Sequence, residues 1–262
     1  MTATAWNAKD YARNSAGQAR FAHELIDRLA LRAGQSVLDI GCGDGKITRE
    51  IARLVYPAQV VGIDSSAAMI TFADNNHRTN NLNFFHMDAM AIDLTESFDV
   101  AFSNAVLHWV PDHIAVLRGV KRVLKPGGKI LFQMGGAGNA ADIIRVINEV
   151  TQQKSWREYF VDFKLPYYFY DISDYENFLS QGDFKKIRIE LLDKEMQFEN
   201  PEGLQGWLRS AWFPVTDCVP EERRQNLLSE IVSAYCQSCS IGMAKGSITV
   251  AMKRLEVEAV CS

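Results

Sequence analysis

The stretch Ser36-Val37-Leu38-Asp39-Ile40-Gly41-Cys42-Gly43-Asp44-Gly45 decides the fold. A short, mainly apolar run of strand character ends in three glycines at alternate positions, and Ile47, Ile51, Leu54 and Val55 then recur at helical spacing. Strand, glycine turn and helix make the opening unit of a wound α/β sheet. In such a sheet the turn lies at the carboxyl end of the strand, and the helix after it aims free N–H groups at whatever the turn holds. Upstream, Phe21, Ala22, Leu25, Ile26 and Leu29 form an apolar stripe within residues 16–31, the mark of an amphipathic helix packed on another element.

Downstream the alternation continues, with strands expected over 59–63, 83–86, 98–102 and 129–134 and helices over 67–73 and 112–124. Pro111-Asp112 caps the second of these helices, and Pro126-Gly127-Gly128 ends it before the next strand. A helix near 139–153 precedes an aromatic-rich stretch from Trp156 to Tyr170 that has no clear period. Strands over 187–192 and 248–252 close the chain, with helical sequence over 202–211 and 221–236 between them. Short, nearly continuous apolar strands separated by helices predict an α/β fold with a parallel sheet covered on both faces. The late helical block has no place inside that sheet, so it is expected above the strand ends as a cap.

The 262 residues carry 28 Lys+Arg against 32 Asp+Glu, a net charge of -4, and 47% of them are hydrophobic. That composition excludes a disordered, collagenous or disulfide-scaffold chain and suits one large domain with an elaboration. Nucleic acid is disfavoured as a partner, because phosphate neutralisation needs a clustered basic face. No run approaches a membrane span, and the start MTATAWNAKDYARN lacks the apolar centre of a signal peptide, so a cytoplasmic protein with no membrane partner is expected. Five cysteines, few and odd in number, fit a reducing compartment. Cys236-Gln237-Ser238-Cys239 lacks a second Cys or His pair at finger spacing and reads as two incidental thiols, so no metal is expected.

Asp64 ends the second strand 19 residues beyond Gly45, where a carboxylate can accept both hydroxyls of an adenosine ribose. Nicotinamide enzymes place G-x-G-x-x-G at this turn; here the spacing is G-x-G-x-G, and no Tyr-x-x-x-Lys pair occurs in the chain. An NAD(P)-dependent oxidoreductase is therefore the runner-up.

The ordered blocks LDIGCGDG, VVGIDSS, FFHMDAM, FDVAFSNAVLHWV and LKPGGKILF, across roughly residues 33–135, resemble a class I S-adenosylmethionine-dependent methyltransferase. Within that family, SNAVLHWVPDH, GWLRSAWFP and the closing ITVAMKR are similar to the branch of trans-aconitate methyltransferases and malonyl-carrier-protein methyl ester synthases, which methylate small carboxylates. The resemblance implies a Rossmann-like, seven-stranded, mostly parallel sheet with the last strand antiparallel. It also implies a helical cap segment over 1–32, a core over 33–154 and 185–262 with a helical insertion near 200–240, and a lid or substrate segment over 155–184.

It further implies S-adenosylmethionine as cofactor and S-adenosylhomocysteine as product. Asp39, Gly41, Cys42 and Gly43 match the loop around the methionine part, and Asp64 matches the ribose ligand. Ser65, Met69, Asp88 and Ala89 fall around the adenine, Asn104 falls beside the sulfonium, and Tyr11, Ser15 and Gln18 lie on a segment that folds over the cofactor. His108 and Trp109 at the mouth of the pocket, with Trp207 and Arg209, are the substrate candidates; Trp212-Phe213-Pro214 stands where the branch shows Leu-Arg-Pro, and Arg209 one turn earlier is the expected carboxylate clamp.

The expected reaction is methyl transfer to a small-molecule acceptor, a carboxylate first. A carboxylate is ionised at neutral pH and needs no general base, whereas a phenol, amine or carbon acceptor calls for one, and His108 is best placed. A non-catalytic cofactor-binding module is the alternative from another class.

Overall fold

The protein is described by a computed structural model that covers Asp10, residues 16–238 and residues 247–261, apart from the side chains of Ala16 and Gln18. In chain order its elements are α1 (Ala16–Leu29), β1 (Val37–Ile40), α2 (Lys46–Leu54), β2 (Val60–Asp64), α3 (Ala67–His77), β3 (Leu82–His86), β4 (Phe98–Asn104) and α4 (His113–Val123). β5 (Leu124–Gly135), α5 (Ala141–Thr151), α6 (Ile172–Gln181), β6 (Phe184–Phe198), α7 (Pro201–Ala211), α8 (Phe213–Thr216), α9 (Glu221–Ser238) and β7 (Ile248–Cys261) follow.

The seven strands form one sheet in the order β3-β2-β1-β4-β5-β7-β6. β1 pairs in parallel with β2 (Val37 opposite Val60) and with β4 (Val37 opposite Val100), so the winding reverses between β1 and β4. β7 alone runs against its neighbours, antiparallel to both β5 and β6. All four residues of β1 are buried, which is why this strand reads as an apolar run and not as an alternation.

Two layers cover the sheet. Leu25 and Ile26 of α1, Ile51 of α2 and Ala73 of α3 pack with Val37, Val60 and Phe102 on one face. Val116, Leu117 and Val120 of α4 and Tyr175 and Leu179 of α6 pack with Leu38, Ile40, Val61 and Ile130 on the other. A third apolar cluster joins α5 and the late helices, where Trp156, Trp207, Trp212, Leu227 and Ile231 meet Met196 of β6 and Val250 of β7. Among the described residues no helix is long and apolar enough to cross a membrane.

The structure departs from the sequence reading at β5, which begins at Leu124 and so takes in Pro126-Gly127-Gly128, and in two further places. β6 and β7 are far longer than 187–192 and 248–252, pairing continuously from Phe184 opposite Cys261 to Phe198 opposite Ile248. Charged residues dilute their apolar pattern, yet those charges pair across the strands, as Arg188 does with Glu256 at 3.1 Å and with Glu258 at 3.8 Å. Residues 155–184 are also not one lid. Asp171 and Asp174 form a capping box that starts α6, and Tyr175 and Leu179 are buried against the sheet, so the second half of that segment is core.

At the end of β1 the buried carboxyl of Asp39 accepts a 2.7 Å hydrogen bond from Thr48 Oγ1 of α2, tying the strand to the helix across the glycine turn. Desolvation outweighs that bond and pushes its pKa up from 3.8 to about 7, with the Asp64 charge adding to the rise. A raised carboxyl pKa favours folding while the group is protonated, so this contribution is complete below about pH 4 and is lost as pH climbs to about 7. Asp39→Asn removes the titration. Without added ligand, its melting temperature is expected to gain on wild type between pH 4 and pH 7 and to hold that lead above, the full difference being on the order of 4 kcal/mol. Parallel pH profiles for the two proteins would show that Asp39 is already ionised in the fold.

Candidate functional site

The carboxyl edge of the sheet at the β1–β4 reversal is where side chains give way to backbone. Gly41, Gly43 and Gly45 all take positive φ (74°, 53° and 79°). At Gly41 there is no alternative: a Cβ would stand 2.3 Å from both methyls of Val106 in the turn after β4. The N–H groups of Gly41 and Cys42 both donate to the Ile63 carbonyl, at 2.7 and 3.0 Å, which lays the loop against the end of β2.

There Asp64 receives two backbone donors, Gly43 N–H on Oδ2 at 3.0 Å and Ser66 N–H on Oδ1 at 2.8 Å. Burial raises its pKa and these two hydrogen bonds oppose the rise, so the carboxyl is oriented while each oxygen keeps a lone pair. Ser66 in turn caps α3 by accepting from Met69 N–H.

A cavity of about 190 Å³ opens at this edge. Gly41, Gly43, Asp64, Ser65, Met69, Asp88, Ala89 and Trp109 all line it, together with Met87, Met90 and Val106, which sequence reasoning missed. Asp88 caps the short turn Ala89–Ala91 through Met90 N–H at 2.8 Å. On the other side of the glycine loop a smaller recess gathers Asp39, Gly41, Cys42, Gly43 and Asn104. Tyr11 and Ser15, and the side chain of Gln18, lie outside the described residues.

Ala105 and Trp109 also line a third cavity, of about 50 Å³, bounded by His108, Tyr167, Phe169, Trp207, Trp212 and Arg254. Ala105 sits between the two cavities with φ 58°, a left-handed conformation that L residues rarely adopt and that tends to mark a functional edge. Trp109 is the shared wall. It stacks on Phe213 (centroids 5.5 Å, planes 10° apart) and meets Tyr167 edge-on at 4.6 Å. Tyr168 N–H donates to the His108 carbonyl at 2.8 Å, which fastens the aromatic segment onto the turn that carries His108.

Two substrate expectations change. Arg209 does not line this cavity: its Nε and Nη2 donate to both carboxylate oxygens of Asp10 at 2.8 and 2.7 Å, on the outside of α7. Helical spacing put residues 209 and 212 on one face, but α7 stops at Ala211, and Trp212 turns inward while Arg209 stays out. His108 is a poor base, because its Nδ1 accepts Gly135 N–H at 3.3 Å. Burial above all, then the charges of Arg254 and His113, hold its pKa well below 6.5. Burial also pushes the Tyr167 phenol well above 10. Its hydroxyl donates to the Ala211 carbonyl at 2.8 Å.

Of the cavity residues that sequence reasoning missed, Tyr167 and Phe169 belong to the aromatic run that had no period. Arg254 lies just beyond the expected 248–252 strand, among Lys253, Glu256 and Glu258, and carried no signal of its own.

The family described as methyltransferase domain matches residues 38–132, the span from β1 into β5. An uncharacterized methyltransferase of Schizosaccharomyces pombe is 32% identical over 199 residues, 72% of this chain and 74% of that protein. The trans-aconitate 2-methyltransferase of Paracidovorax citrulli is 36% identical over 155 residues, 58% of each chain. The structure of phosphoethanolamine N-methyltransferase 2 from Haemonchus contortus, in complex with S-adenosyl-L-methionine, superposes with a TM-score of 0.62. At 22% identity, over 97% of this chain and 56% of that one, it bears on the fold. A wound sheet whose glycine loop and strand-end carboxylate frame an open crevice, joined to this relatedness, places the chain among the class I S-adenosylmethionine-dependent methyltransferases, with S-adenosylmethionine as its cofactor.

Proposed function

We propose that this protein methylates the carboxylate of a small organic acid, giving a methyl ester. The observation that carries the reading is that both titratable groups of the aromatic cavity are engaged: His108 Nδ1 already accepts Gly135 N–H, with burial lowering the basicity of the ring, and the Tyr167 hydroxyl donates to the Ala211 carbonyl. Neither is suited to deprotonate an acceptor at neutral pH, and a carboxylic acid arrives already ionised. The relatedness to trans-aconitate 2-methyltransferases supports the same acceptor class.

The residues of the crevice fit the cofactor. Gly41 and Gly43 let backbone approach the methionine part, with Asp39, Cys42 and Asn104 around the neighbouring recess. Asp64, oriented by Gly43 and Ser66, accepts the ribose hydroxyls with its remaining lone pairs. Ser65, Met69, Asp88 and Ala89 line the same cavity and would enclose the adenine. When bound, S-adenosylmethionine supplies an electrophilic methyl on a sulfonium that leaves as a neutral thioether.

The protein has to hold an acceptor oxygen in line and keep water out. Trp109 and Ala105 stand at the junction of the two cavities, and the stacked rings of Trp109, Tyr167, Phe169 and Phe213 make the acceptor side apolar. Bringing an anion beside a cation in such a place cancels charge in the transition state, and positioning alone can supply on the order of 7 to 11 kcal/mol. An acid of this kind would be met in the cytosol, a compartment in keeping with the free thiols of Cys42 and Cys218.

Asp64→Ala is expected to weaken S-adenosylmethionine binding by roughly tenfold or more in a calorimetric titration, since it removes charge-assisted hydrogen bonds to two hydroxyls. Affinity equal to wild type would move the ribose elsewhere. The reaction itself is tested by transferring labelled methyl to a panel of small acids, phenols and amines and treating the product with alkali. Label released as methanol is the expected result; alkali-stable label would replace the carboxylate with a phenol, amine or carbon acceptor.

A further inference from the structure

The geometry points to Arg254 as the residue that binds the acceptor's carboxylate, and to a monocarboxylic acid with a short apolar body as the acceptor class. This rests on the carboxylate reading above and specifies it.

Arg254 lies on β7 opposite Gly135 of β5 and Leu192 of β6, at the carboxyl edge of the sheet beside the β4 turn. Its side chain lines the aromatic cavity although the residue is only 3% exposed. A chain of hydrogen bonds sets its position. Arg254 Nε donates to Gln133 Oε1 at 3.3 Å, and Gln133 Nε2 donates to Glu256 Oε1 at 2.9 Å. The other Glu256 oxygen is held by Arg28 and by Arg188. A carboxylate entering the cavity would meet this guanidinium in a water-poor setting, where a charge-assisted hydrogen bond from arginine is strong.

His108 contributes a second donor. Because its Nδ1 accepts from Gly135, the neutral ring carries its proton on Nε2, a tautomer assigned from that hydrogen bond. Arg254 and His108 therefore provide N–H groups for one carboxylate, while Trp109 and Ala105 connect their cavity with the crevice in which the methyl donor is proposed to sit.

The rest of the lining limits the acceptor. Among the described residues around this cavity, Arg254 is the only permanently charged one; Phe21, Phe169, Met196, Trp207 and Met252 offer apolar surface. Arg209 is engaged by Asp10 outside it. A second or third carboxylate would lie against aromatic walls where the described residues offer no further cation, which is costly. The small volume of about 50 Å³ admits a carboxyl group and a few carbons without displacing side chains.

The test compares wild type, Arg254→Gln and Arg254→Lys with hexanoate, hexanamide and tricarballylate as probes. Hexanoate binding to the S-adenosylhomocysteine-saturated protein is followed by calorimetry, and kcat and KM for ester formation are measured in parallel. Wild type should bind hexanoate and use it in preference to tricarballylate. Arg254→Gln should raise its Kd and KM by roughly tenfold or more, with partial recovery in Arg254→Lys and affinity for S-adenosylhomocysteine unchanged. Hexanoate bound equally well by Arg254→Gln and wild type overturns the assignment of Arg254 alone, and a preference for tricarballylate overturns the acceptor class. If the variants fail to fold, hexanamide decides: wild type binding it as tightly as hexanoate overturns the clamp. No ester from any acid would remove the carboxylate reading and this inference with it.

Discussion

The close approach of the Gly41 backbone to the Val106 side chain is the constraint on which the rest of the molecule turns. The end of β1 comes so near the turn after β4 that a single carbon at position 41 would stand 2.3 Å from both methyls of Val106. β1 and β4 are also the pair at which the sheet reverses its winding, so the chain diverges above them and leaves a crevice. The left-handed glycines then set the loop on the end of β2, where the N–H of Gly43 turns the Asp64 carboxylate. Geometry at one glycine thus propagates, through hydrogen bonds of 2.7 to 3.0 Å, into the placement of an ionisable group two strands' length of chain away.

The crevice divides into two chemical environments that share a wall. On the glycine side the loop backbone and the carboxyl groups of Asp64 and Asp88 stand among methionine and other apolar side chains; beyond Trp109 the surfaces are aromatic, and burial keeps His108 and Tyr167 uncharged. Among the described residues, charge reaches the dry side through β7, where Glu256, 1% exposed, accepts from Arg28, Arg188 and Gln133, and Gln133 accepts from Arg254. Buried ions of this kind contribute little net stability when fully paired and cost much when one partner is lost. Such a network suits a position where orientation matters more than stability.

Legibility in the sequence followed the range of the interactions involved. β1, β2 and β4 stood out because nearly all their residues are buried, and α3 and α4 because each begins with a local cap, Ser66 and Asp112. The glycine loop and Asp64 stood out because the fold requires them at fixed spacing. α6 did not, since its apolar residues are interleaved with aromatic and polar ones and its start depends on the reciprocal Asp171–Asp174 bonds. The long antiparallel ribbon of β6 and β7 was half visible, because its charges pair with each other across strands some 60 residues apart and so mimic a solvated segment when either strand is read alone.

By itself the sequence determined the α/β class, the seven-stranded, mostly parallel sheet implied by a family resemblance, and the carboxyl-edge crevice with Asp39, Gly41, Gly43, Asp64 and Asp88 around it, because these rest on contacts within a strand, a turn and the next helix. Only the tertiary structure decided which side chains close the acceptor side. Tyr167, Met196, Trp212 and Arg254 come from four separate segments, and nothing local to any of them encodes their meeting. Arg209 and Arg254 look alike as letters near the end of the chain. The difference between an arginine that forks onto Asp10 at the surface and one that lines an aromatic cavity lies in where α7 ends and how β7 is registered against β5.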